Sequence, residues 1–221
     1  MASLVIAVDG PAAAGKGTLA RRLAAELRLA HLDTGALYRA TARDVLAAGI
    51  EPNDAEGAAA IAAKLDPASL ADPALRSEAV GRVASVVSAH PSVRAALLDY
   101  QRNFAHRPPG GAAGAVLDGR DVGTVVCPDA TVKLFVTASV EARADRRVRE
   151  LEAAGGPVDA GAVLADMVAR DERDTKRSAA PLRPAHDAVV LDTSGLDADE
   201  AFEAALAIVR ARARTAGRPQ A

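Results

Sequence analysis

Apolar residues recur along this chain in two rhythms, and the switching between them lays out most of its elements. Leu4-Val-Ile-Ala-Val8 is an unbroken apolar run with no polar residue interleaved, the pattern of a strand buried on both faces. Ala115-Val-Leu117 and Ala188-Val-Val-Leu191 are likewise unbroken, and Val132-Lys-Leu-Phe-Val136, interrupted only by Lys133, also reads as a buried strand. Elsewhere the spacing lengthens to three and four. Leu19, Leu23 and Leu27 predict one helix, and Leu37, Val45 and Leu46 predict a second from Gly35 to Ala48, stopped by Gly49. Glu51 to His90 is Ala-rich and interrupted by Pro52, Pro67 and Pro73, so short helices peripheral to the sheet are expected there. Further helices are predicted over Ser92–Phe104, Val140–Glu152 and Asp159–Lys176. A last helix opens on Asp197 and Glu200, spaced as an N-terminal capping box. Strands alternating with helices imply an α/β fold: a parallel, doubly wound sheet with flanking helices. In such a sheet ligands gather at the carboxyl ends of the strands, so the residues just past each apolar run are the candidates for chemistry.

After the first run comes Gly10-Pro11-Ala12-Ala13-Ala14-Gly15-Lys16-Gly17-Thr18. Strand, glycine-bounded loop and helix in that order form a phosphate-binding loop. Glycines let the backbone bend round an anion, the helix-start N–H groups point at its oxygens, and Lys16 supplies a mobile charge. The general pattern places Ser or Thr directly after the lysine. Here Gly17 intervenes before Thr18, an ending similar to the loop of nucleoside monophosphate kinases.

After the second run comes Asp118-Gly119-Arg120-Asp121, dense in charge, with Arg120 the planar cation suited to phosphate. Following a break at His31, Thr34 reads as an N-cap, and Arg39 would stand one turn into its helix. In Arg170-Asp-Glu-Arg-Asp174-Thr-Lys-Arg177 the residues Arg170, Asp174 and Arg177 would share one helical face. A solvated face is the plain alternative for such a charge run. With Gly155-Gly156 on one side and Pro181 and Pro184 on the other, the segment could instead hinge as an arginine-bearing lid over a phosphoryl-transfer site.

Composition narrows the classes. The chain has 221 residues, enough for one sizeable α/β domain. A net charge of −2 gives no electrostatic case for a nucleic-acid or membrane partner. Aromatic residues are only 2%, too few for base-stacking platforms. The single Cys127 can form no internal disulfide and suits a reducing cytosol. The N-terminal apolar run is too short for export or spanning, and a cytoplasmic enzyme is expected. The four histidines are scattered without metal-ligand spacing.

Four motifs in order carry a family resemblance: the Gly10–Thr18 loop, Leu32-Asp-Thr-Gly-Ala-Leu-Tyr-Arg39, Leu117-Asp-Gly-Arg-Asp-Val-Gly-Thr-Val-Val126, and Arg170–Arg177 with Ala180-Pro181-Leu182 beyond it. Together they resemble the bacterial cytidylate kinase family, enzymes that move the γ-phosphoryl of ATP to CMP or dCMP. The resemblance implies one kinase domain over residues 1–221, with an acceptor-nucleotide excursion over about 34–107 and a lid over about 143–184. It implies that Lys16 and the Gly10–Thr18 amides hold ATP and that Thr18 contributes to Mg²⁺; Asp118, by its place in the sequence, could orient a metal-bound water or equally be a structural carboxylate. Thr34, Arg39, Arg120 and Arg177 would surround the acceptor phosphate. Ser85, Arg94 and Asp121 would read cytosine, and Arg170 and Asp174 would hold the sugar hydroxyls. Catalysis would rest on Lys16, Arg120 and Arg177 in a monomer whose partners are the nucleotides alone. Two departures stand out. Thr34 replaces the usual Ser, and Leu65–Leu75 lacks β-type alternation, so the small antiparallel insert of many members is expected to be reduced or absent. The alternatives are a UMP- or AMP-accepting kinase on the same scaffold, or a non-catalytic nucleotide-binding module. A GTP-dependent switch is disfavoured by Gly17 and by the lack of an Asn-Lys-x-Asp motif.

Overall fold

A computed structural model describes residues 3–153, 155 and 157–216. Its centre is a five-stranded, all-parallel sheet: β1 (Leu4–Asp9), β2 (Ala30–Asp33), β3 (Gly114–Gly119), β4 (Val132–Thr137) and β5 (Val189–Asp192). The strand order is β2-β3-β1-β4-β5, which puts β1 in the middle with its whole length paired to β3, Leu4 opposite Gly114 and Asp9 opposite Gly119.

The apolar run of β1 explains the layering. Val5 and Ala7 face one helical layer and Ile6 and Val8 the other. On the first side lie α2 (Thr34–Ala47), α3 (Ala55–Ala62), α4 (Glu78–Val87) and α5 (Pro91–His106). On the second, α1 (Lys16–Leu27) and α8 (Ala198–Ala216) pack together, with Arg22 stacked 4.2 Å over the Phe202 ring. Ile6, Leu23 and Leu37 are wholly buried, each contributing about 1.5–3 kcal/mol of transfer free energy. The remaining pair, α6 (Val140–Ala153) and α7 (Ala160–Lys176), packs as a hairpin.

Several expectations need correction. The break placed at His31 is the edge strand β2, too short and too polar to show in the apolar pattern. The N-cap of α2 is Asp33, whose carboxylate accepts from the Ala36 N–H at 3.1 Å, not Thr34. α7 ends at Lys176, and Arg177 is extended, so the shared helical face stops at Asp174. Val122–Val126, to which the apolar pattern gives no element, is a π-helical turn. Leu65–Leu75 contains two short 3-10 turns, Pro67–Ala71 and Pro73–Arg76, and no strand, as the missing alternation predicts. The capping box of α8 is reciprocal: the Asp197 N–H donates to Glu200 at 3.0 Å, and the Glu200 N–H to Asp197 at 2.9 Å. Of the expected Gly155-Gly156 hinge, Gly155 has φ 87°, and Gly156 lies outside the described residues. Among the described residues no helix is long and apolar enough to cross a membrane.

Candidate active site

The carboxyl ends of β1 and β3 lie side by side, and their two loops face each other. At β1, Gly10 turns the chain with φ 153°, and a Cβ there would stand 1.9 Å from the Val136 carbonyl oxygen. The loop therefore runs against β4 at a distance only glycine permits. Gly15 sits in the left-handed region at φ 83° and caps α1 without a side chain, leaving the first-turn N–H groups free for an anion. Behind the loop, Arg143 donates to the Ala12 carbonyl and Thr193 to the Ala14 carbonyl, both at 3.3 Å.

Lys16 folds over this loop, its Nζ 3.3 Å from the Pro11 carbonyl oxygen. Burial pushes its ammonium down to about 7, and Arg120 pushes the same way, while Asp118 and Asp33 oppose them. A polyanion would reverse that balance. At pH 8 a group titrating near 7 is only about 10% charged, so nucleotide binding should draw in most of a proton. Calorimetry of MgATP binding in two buffers of different ionisation enthalpy should show uptake approaching one proton per site at pH 8. Absence of uptake would mean that Lys16 is already charged in the free protein, against the effect of its burial.

Thr18 is exposed beside the loop and accepts from Arg21 at 3.2 Å. Asp118 is buried; its Oδ2 pairs with His31 Nε2 at 2.8 Å, while its Oδ1 lies toward Gly17. His31, unassigned by its spacing, thus orients this carboxylate. A hydroxyl and a carboxylate oxygen form a hard donor set that fits Mg²⁺.

Opposite the loop, arginines converge. Arg39 pairs with Asp33 at 2.6 Å, and Arg120 Nε donates to Asp174 at 2.9 Å. Arg94 donates to Asp121 Oδ2, and Arg177 stands 3.7 Å from Asp121 Oδ1, too far for a hydrogen bond. Arg177 Nε is held instead by the Ala180 carbonyl at 2.6 Å. Thr34 donates its proton to the Asp118 carbonyl at 2.8 Å, fixing the end of β3. Ser85 accepts from Arg173 at 3.3 Å, which ties α4 to α7.

The residues expected at the acceptor side are thus largely brought together, with donors to spare. Arg39 Nε, Arg170 Nε and Arg177 Nη2 are among the buried groups with no hydrogen-bond acceptor. Burial, reinforced by Arg120, pushes Arg170 down to about 10; burial and Arg94 likewise lower Arg177. Burial would raise Asp174, yet Arg120, Arg170 and Arg177 outweigh it and hold its carboxyl below the usual range. Crowded, desolvated guanidiniums with unused donors describe a pocket shaped for an anion.

Beside them opens a cleft of about 250 Å³, lined by Tyr38, Arg94, Leu98, Gln101, Asp121 and Val126 among others. Arg94 sits 5.3 Å over the Tyr38 ring, and Gln101 is buried beneath. Sequence reasoning missed Tyr38 and Gln101, which read as ordinary helix-face residues. It also missed Asp9, signalled only by a carboxylate directly after an apolar run.

Comparison with known proteins supplies the last constraint. The family model described as cytidylate kinase matches residues 6–211. The cytidylate kinase of Rhodospirillum rubrum is 60% identical over 206 residues, covering 93% of this chain and 97% of the relative. That of Paramagnetospirillum magneticum is 61% identical, covering 94% and 98%. A solved gluconokinase from Sinorhizobium meliloti 1021 aligns over 97% of this chain and 95% of its own, with TM-score 0.51 at 14% identity, a likeness of fold alone. A phosphate loop facing a nest of arginines is common to many kinases, but a match at this identity along almost the whole length is not: the chain belongs to the cytidylate kinase family.

Proposed function

We propose that this protein transfers the γ-phosphoryl group of ATP to CMP or dCMP, giving ADP and CDP or dCDP. The observation that carries this reading is the set of buried, unused guanidinium donors on Arg39, Arg170 and Arg177, with Arg120 and Arg170 near enough to Lys16 to disfavour its charge.

The Gly10–Thr18 loop and Lys16 cradle the donor phosphates. Arg39, Arg120 and Arg177 grip the acceptor phosphate, with Thr34 placing the β3 end that carries Arg120. Arg170 and Asp174 hold the sugar. Asp121 accepts from the cytosine amine through Oδ1, while Arg94, forked, and Ser85 address the O2 and N3 side. Uracil presents O4 where the amine would be, leaving the Asp121 carboxylate facing another acceptor. Thr18, and Asp118 through a water, would hold Mg²⁺, which supplies charge neutralisation on the phosphates when bound.

The acceptor phosphate is anionic near neutral pH, so this chain needs no strong general base. The work of its residues is alignment and charge stabilisation. Residues 1–221 act as one kinase domain, with 34–107 as acceptor excursion and the α6–α7 hairpin within a lid over about 143–184. We take it to function as a cytoplasmic monomer with no polymer partner. Cys127, buried and pushed up to about 12 by that burial and by Asp129, serves packing rather than chemistry.

A coupled ADP-release assay with CMP, dCMP, UMP and AMP tests the reading. CMP and dCMP should exceed UMP and AMP in kcat/KM by about 100-fold or more. Equal use of all four would leave a kinase without a cytosine site, and no ADP release with any would remove the activity itself.

A further inference from the structure

Asp9, the last residue of β1, is buried directly before the phosphate loop that begins at its neighbour Gly10. Its two oxygens accept from the Val122 and Gly123 N–H groups, each at 2.7 Å. These amides open the π-helical turn, where a helical start leaves N–H groups without intrahelical partners. At the far end of the turn, Arg102 of α5 donates to the Val125 and Val126 carbonyls, both at 3.2 Å. Within it, the Val125 and Val126 N–H groups both donate to the Asp121 carbonyl, at 2.8 and 3.2 Å. The turn and the backbone of Asp121 therefore move as one piece.

We propose that Asp9 is a specificity-determining positioning residue: with Arg102 it clamps the 122–126 turn from both ends and so fixes where Asp121 meets the base. The inference rests on the cytosine-reading role proposed above for Asp121.

A carboxylate is the side chain this geometry requires. Burial, with Asp121 beside it, pushes this carboxyl up to about 7, while the two N–H groups pull the other way; with both oxygens accepting, the geometry is that of the carboxylate form. Asparagine offers one acceptor oxygen and would turn an NH₂ against the other amide. The turn is closely packed at this point: a Cβ on Gly123 would crowd the Lys133 stem at 3.2 Å and Asp9 itself at 3.3 Å. Lys133 in turn is anchored on the Pro128 carbonyl and Asp187. A small displacement of the turn therefore passes to Asp121, and hydrogen-bond readout of a base is lost over such distances.

The test uses full-length wild type, Asp9→Asn and Arg102→Met, each with CMP and UMP at saturating ATP, and with ATP varied at saturating CMP. Asp9→Asn should lower the CMP-to-UMP ratio of kcat/KM by about 10-fold or more, with the KM for ATP changed less than about 3-fold. Arg102→Met should move the ratio the same way by a smaller factor. It releases only carbonyls at a partly exposed edge, so it decides the matter should Asp9→Asn fail to fold. A merely structural Asp9 would lower all rates together and leave the ratio alone. An unchanged ratio in the folded variants, or a KM for ATP rising as much as that for CMP, overturns the proposal. If wild type itself shows no preference for CMP, the cytosine reading fails and the clamp with it. If wild type discriminates and the variants do so equally, only the clamp fails.

Discussion

Lys16→Ala should lower kcat about a thousandfold or more and raise the KM for ATP, while the thermal midpoint shifts by no more than about 2 °C. The two halves of this expectation have one cause. Lys16 sits where burial and Arg120 already disfavour its charge, so deleting it removes no favourable ion pair from the free protein. Once a triphosphate arrives, that ammonium is the cation folded over the loop, and charge developing between donor and acceptor loses its nearest stabiliser. Steady-state kinetics on a variant with native circular dichroism checks it. A kcat within about tenfold of wild type would contradict the loop assignment.

Asp121→Asn should reduce kcat/KM for CMP by about 100- to 1,000-fold while UMP becomes the relatively better acceptor. The asparagine oxygen can still receive Arg94, but its NH₂ then meets the cytosine amine, donor against donor, and can satisfy O4 of uracil instead. Stability should fall as well. Asp121 lies between Arg94 and Arg177, all with side chains at most 10% exposed, and removing the shared carboxylate charge leaves two buried cations uncompensated. Substrate competition with CMP and UMP, alongside thermal unfolding, measures both effects. A fall in CMP use with selectivity unchanged would assign Asp121 to packing of the cleft.

How much of this could be read from the residues varies with the element. β1, β3 and β4 announce themselves as apolar runs because they lie inside the sheet; β5, an edge strand with Val190 exposed, is legible only because three of its four residues are apolar. β2 is not, because an edge strand of four residues carrying His31 and Asp33 has too few apolar positions to reveal a period. Within the site, Lys16 and the glycines are legible because loop chemistry is local in sequence. The arginine nest is legible as cations but not as a geometry: Arg120 and Asp174 meet across 54 positions, and Arg94 and Asp121 across 27. The π-turn left no trace, since Val-Gly-Thr-Val-Val has strand propensity that the contacts of Asp9 and Arg102 override. Thr34 illustrates a finer limit. A hydroxyl before a helix suits a cap, but Asp33 took that position and freed Thr34 for the Asp118 carbonyl.

The central place of β1 has a bearing on biosynthesis. Strand β1 has no neighbour to pair with until Gly114 and Val132 have been made, and the loop beyond it is fully braced only when Thr193 has joined Arg143 behind it. For most of translation the N-terminal third must wait as a nucleus without a sheet, its local helices forming first. Nucleotide should accordingly protect nascent chains from protease only when the arrest point lets Thr193 clear the exit tunnel, and protection of much shorter chains would contradict that order of assembly.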